Sequence, residues 1–111
     1  MAARPYSPYA LVAAQLLGAE IAVARRERGL PVKELAERLG VHRETVARVE
    51  RGDPSVSLGT AFEAAALVGV PLFEEDPASL SADLDRARRS LALLPKRVRP
   101  SRASGDVDDD F

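Results

Sequence analysis

The chain has 111 residues, 46% of them apolar, which gives room for one small domain with a modest core plus tails. Ala, Leu and Val dominate the apolar set and aromatics supply only 5%, so helices are favoured over sheets; the lack of cysteine excludes a disulfide framework and thiolate metal sites. A net charge of -1 hides segregation: residues 20–51 carry eight bases against six acids, 53–85 seven acids and no base, 86–102 seven bases and no acid. Four aspartates then close the chain.

Residues 1–6 read as a flexible lead. Ser7-Pro8 is a helix start, with an N-cap acceptor and proline in the first turn. Helical periodicity follows through Val12, Leu16, Leu17, Ile21 and Ala24, with Gly18 a weak point near the middle. The run "YALVAAQLLGAEIAVA" has a passing likeness to a secretion signal. Gln15 and Glu20 interrupt it, it is too short to span a bilayer, and it continues into "RRERG" without a cleavage signature. The expectation is a cytoplasmic protein with no membrane partner. Gly29 and Pro31 end this helix.

A second helix is expected from Val32 to Leu39, with Leu35, Ala36 and Leu39 on one face and Gly40 as its stop. A third begins near Arg43, turns Val46 and Val49 inward, and ends at Gly52-Asp53-Pro54. Ser57 caps a fourth, from Leu58 to Val68, with Leu58, Ala61, Phe62, Ala65 and Val68 as its buried face. A short helical turn is expected around Leu72 and Phe73. "SLSADLDRARRSLALL" gives one more amphipathic helix to Leu94, where Pro95 breaks it. The domain is thus expected over residues 7–76, a C-terminal helix over 77–94, and a charged tail over 95–111. That tail has too little apolar surface to offset its ordering entropy, so alone it is expected to be disordered.

The second and third helices have the spacing of a helix-turn-helix. Gly40 stands where the turn favours positive φ, and Val41 folds over the core. With Val46 and Val49 inward, Arg43, Glu44, Thr45, Ala47 and Arg48 fall on the other side. Two readings fit that face. It is a solvated charged surface, or its arginines, acid and hydroxyl address guanine O6/N7, cytosine N4 and phosphate.

The run "LLGAEIAVARRERGLPVKELAERLGVHRETVARVERGDPSVSLGTAFEAAALVGVPL", residues 16–72, resembles the Cro/phage-repressor (XRE) family of helix-turn-helix regulators. The resemblance covers about half the chain and implies an all-α fold, a five-helix lambda-repressor-like DNA-binding domain, to which the pattern and composition read above add a C-terminal helix and a disordered tail. It implies base readout by Arg43, Glu44, Thr45 and Arg48, and a backbone or capping role for His42, Arg51 and Gly52. It also pairs Arg25 with Glu50 as a structural ion pair. Two departures stand out. Val32 replaces the glutamine that grips a phosphate in the family, and His42 stands where a Ser or Thr cap is usual. Both point to a weaker grip on the DNA backbone.

The expected partner is double-stranded DNA with a pseudo-palindromic operator, bound by a homodimer whose two reading helices sit about 34 Å apart. The fourth helix's exposed edge with Leu72, Phe73, Leu80, Leu84 and Leu91 either supplies the dimer surface or completes the monomer core. "RRSLALLPKRVR" and the acidic tail resemble the C-terminal region of HipB-type antitoxins, which repress their own operon and bind a HipA-like kinase toxin. On that reading Asp108, Asp109, Asp110 and Phe111 form a partner-binding tail; otherwise the aspartates screen the basic run. Lys96, Arg97, Arg99 and Arg102 are alternatively phosphate contacts. A stand-alone regulator without a toxin, or an adaptor that reads no DNA, are the alternatives. An isolated histidine, no cysteine nucleophile and no glycine-rich phosphate loop argue against an enzyme, and no metal or other cofactor is implied.

Overall fold

A computed structural model describes residues 5–73 and 75–98. The chain divides between Asp76 and Pro77 into two units. The first holds α1 (Pro8–Glu27), α2 (Val32–Leu39), α3 (Arg43–Arg51) and α4 (Leu58–Val68). The second holds α5 (Pro77–Leu93). Among the described residues there is no strand, and no helix is long and apolar enough to cross a membrane.

The helix limits follow from local chemistry. Ser7 accepts from the Ala10 amide at 3.2 Å and Pro8 takes the first turn of α1. Ser57 does the same for α4, accepting from the Thr60 amide. Gly40 sits at φ 71°, so α2 ends in a left-handed residue and the chain turns directly into α3. The Val41 amide closes that turn on the Ala36 carbonyl at 3.0 Å.

The core of the first unit is built from Ile21, Leu35, Ala36, Val46, Val49, Ala64, Ala65, Val68 and Val70. Full burial of an Ile or Leu of this kind stabilises the fold by about 2 kcal/mol. Two glycines set how closely α1 and α3 approach. A Cβ on Gly18 would lie 2.3 Å from the Val49 carbonyl oxygen, and one on Gly52 would lie 2.5 Å from Gln15 Cα. Gly18 is therefore the contact point of α1 rather than a weak point in it.

That contact also decides which face of α1 is inside. Ile21, Gly18 and Arg25 are buried, whereas Val12 and Leu16, expected inside, are 61% and 58% exposed. At about 100° per residue both lie roughly 140° or more from Ile21, so α1 is apolar on two faces and only one meets the core. In α4 the buried stripe is Ala61, Ala64, Ala65 and Val68, with Ala61 only partly covered. Leu58 continues that stripe one turn beyond the edge of the core and is 67% exposed. Leu72 and Phe73 do not form a helical turn. Phe73 has φ 56°, and Leu72 bridges to Glu75 in a tight reversal. Phe73 packs edge-on against Phe62 at 6.2 Å.

In the second unit no residue of α5 is buried. Leu84 and Leu91 are exposed, and Arg86 bonds to Asp83 one turn earlier. Arg99, Arg102 and the tail of Asp108, Asp109, Asp110 and Phe111 lie outside the described residues.

Candidate nucleic-acid interface

Within the first unit α3 is held at its C-terminal end and along one side. Val46 and Val49 are buried, at 1% and 4% exposure. At the C-terminal end Arg25 Nε donates to Glu50 Oε2 at 2.6 Å and Nη2 donates to Oε1 at 3.1 Å. Arg25 Nη1 also donates to the Leu30 carbonyl at 2.9 Å. One buried guanidinium therefore joins α1, the loop before α2 and the end of α3. Both charges are satisfied at two or more points, as a buried pair requires.

The opposite side of α3 carries Glu44, Ala47, Arg48 and Arg51, flanked by Arg43 and Thr45. Arg43 and Glu44 are exposed and Thr45 is half-buried. Arg51 Nη2 donates to Glu44 Oε2 at 3.3 Å across two exposed side chains. His42 is the N-cap residue, extended at φ -75° and ψ 156°, but its side chain makes no capping hydrogen bond. Pro31 takes the corresponding place at α2, again with no side-chain cap, and Val32 follows it. The first amides of both helices thus lack a side-chain acceptor, which leaves positive helix ends where an anion can bind.

Two residues of the expected set have surroundings that the sequence does not show. Gly52 is buried against Gln15 of α1, so its lack of a side chain serves helix packing. Arg48, expected to project freely, is engaged: Nε donates to Asp53 Oδ2 at 2.9 Å and Nη2 donates to Ser55 Oγ at 2.7 Å. Asp53 Oδ1 in turn accepts the Ser55 amide at 2.8 Å and the Ser55 hydroxyl at 2.7 Å.

Sequence reasoning read Asp53 only as part of a helix stop and passed over Ser55. The signal was present as "DPS", whose aspartate closes a turn on the amide two residues on. What periodicity could not give is that this turn brings the carboxylate back over the end of α3 to Arg48. The Ser55 hydroxyl, its amide and then Arg48 hold the Asp53 carboxyl well below the usual carboxylate range.

The outer face of α3 therefore presents one exposed arginine, one loosely paired arginine and one firmly held arginine beside an uncapped helix end. Charge of this kind suits an anion with hydrogen-bonding edges. The helix order, with α2 and α3 joined through Gly40 and Val41, is consistent with a lambda-repressor-like helix-turn-helix domain. A protein family described as "Helix-turn-helix" matches residues 21–74. No curated protein and no solved structure matches the chain.

Proposed function

We propose that the helix-turn-helix domain of residues 21–74 reads double-stranded DNA and that the protein is a cytoplasmic transcriptional repressor acting as a homodimer. The observation that carries this is the outward side of α3: Arg43 and Glu44 are exposed, Thr45 is half-buried and Arg48 is held by Asp53 and Ser55, on a helix fixed on its other side by Val46, Val49 and the Arg25–Glu50 pair. A rigid helix with short polar reach is what the major groove accommodates, and a bidentate arginine is its commonest base reader. The uncapped starts of α2 and α3 would take phosphates through backbone amides, replacing the side-chain grip that Val32 cannot supply. Arg51 and His42 lie at the margins of the same surface and would contact the backbone.

The test is selection of bound duplexes from a random pool by the full-length protein. The reading requires a pseudo-palindromic consensus, and Arg48→Ala should retain its melting temperature while losing preference at one position in each half-site. An unchanged consensus for that variant would remove Arg48, and with it this face, from base readout.

The finer role proposed is antitoxin to a HipA-like kinase toxin and autorepressor of the shared operon. It is supported by the sequence resemblance at the C-terminus, where a basic run meets Asp108, Asp109, Asp110 and Phe111. An acidic segment ending in an aromatic side chain can anchor in a pocket with a basic rim. Deleting Asp106 to Phe111 should abolish co-purification of such a kinase and leave operator affinity unchanged; equal loss of both contradicts a docking tail.

A further inference from the structure

We infer that Asp53 and Ser55 are positioning residues that make Arg48 a base reader instead of a phosphate binder. The inference rests on the DNA-reading role of α3 and adds to it the source of selectivity. The bonds to Asp53 and Ser55 use Nε and one hydrogen of Nη2, which lie along one edge of the guanidinium. The remaining edge, Nη1 with the other Nη2 hydrogen, stays unused by the clamp. That edge offers two parallel donors, the geometry that matches guanine O6 and N7.

Two consequences follow from placing the clamp on one edge only. The long side chain is held in one orientation before DNA arrives, so less freedom is lost when it binds. The Asp53 carboxylate also offsets the arginine charge and sits where it repels phosphate. A neutral base edge feels that offset less than a charged phosphate does. The clamp therefore lowers contacts that any duplex offers and keeps the contact that only a guanine offers. Arg51 provides the contrast within the same helix: its bond to Glu44 is longer and both partners are more exposed, so it remains free to trade for phosphate.

The experiment compares the full-length protein and its variants on two probes. One is the duplex recovered by the wild type from a pool of about 20 randomised base pairs, the other a scrambled duplex of equal length. Asp53→Asn keeps an oxygen for the Ser55 amide, so the turn survives, but removes the charge that holds Arg48. The ratio of affinities for the two probes should fall by about tenfold, mainly through tighter binding to the scrambled duplex. The salt dependence on the scrambled duplex should steepen by about one unit, as Arg48 becomes a phosphate contact. Ser55→Ala should move the ratio in the same direction by less, and Ser55→Thr should restore it.

In an Arg48→Ala background, Asp53→Asn should leave the ratio unchanged. A ratio that is unaltered by Asp53→Asn, or that rises, overturns the inference. So does a change that persists without Arg48. A wild type that does not distinguish the two probes is a different outcome, because it removes the DNA-reading role itself and the inference with it.

Discussion

Two arginine–carboxylate pairs hold the C-terminal end of α3, and they differ in everything except chemistry. Arg25–Glu50 spans 2.6 Å with side chains 10% and 11% exposed, and Arg48–Asp53 spans 2.9 Å with side chains 35% and 28% exposed. The first is dry, doubly bonded and joins three segments of the chain. The second is wet on one side and leaves part of its guanidinium uncommitted. Removing one partner of the dry pair strands a charge away from water, whereas removing one partner of the wet pair leaves a solvated charge. The inner pair thus sets where α3 lies, and the outer pair sets what α3 presents.

The sharpest way to break that division is at the inner pair. Glu50→Ala should cost about 4 kcal/mol, because Arg25 is left buried and unmatched. In a domain of this size that lowers the melting temperature by about 15 °C or more, measurable by circular dichroism. Gly18→Ala should cost about 3 kcal/mol, since the added methyl meets the backbone of α3 and not a side chain that can swing away. Gly40→Ala should cost only about 1 kcal/mol: nothing crowds that position, and the penalty is the left-handed backbone alone. At the outer pair Asp53→Asn should leave the melting temperature almost unmoved while changing DNA selectivity, a separation that the inner pair cannot give.

The outer pair also has a pH signature. A carboxyl held below its ordinary value supports the fold above that value and loses its contribution as pH falls through the folded one. Asp53 should therefore remain ionised and bonded to Arg48 from neutral pH to below about 4, and release it only in stronger acid. Side-chain carboxyl chemical shifts followed against pH should place its midpoint below the usual range. A midpoint at the ordinary aspartate value would show that the clamp is not maintained in solution.

Much of the fold could be read from punctuation in the sequence. Ser7-Pro8, Ser57, Gly40 and Gly52 each act locally, and the helices they bound match the spans that they imply. The buried faces were less legible wherever apolar residues occur on more than one side. Val12 and Leu16 satisfy helical periodicity, yet the core lies on the side where Gly18 lets α3 approach, and no single-helix pattern contains that information. A helical turn is expected around Leu72 and Phe73, but Phe73 takes a positive φ beside the Leu72–Glu75 bridge.

For the interface, the orientation of α3 followed from Val46 and Val49, because burying two apolar residues fixes where the others point. The side-chain partners divide by their origin. The resemblance to known regulators pairs Arg25 with Glu50, and the two are hydrogen-bonded. The Arg48–Asp53–Ser55 network depends on a turn that folds back over the helix end, which residue spacing does not encode.

The most direct measurement is a titration of the duplex recovered from a random pool into the isotopically labelled full-length protein, following backbone amide shifts. Base readout by the outer face of α3 predicts that the largest changes fall on residues 42–48 and on the first turn of α2, with α1 little affected. Changes concentrated on the exposed apolar face of α1 around Val12 and Leu16, with α3 unmoved, would contradict it.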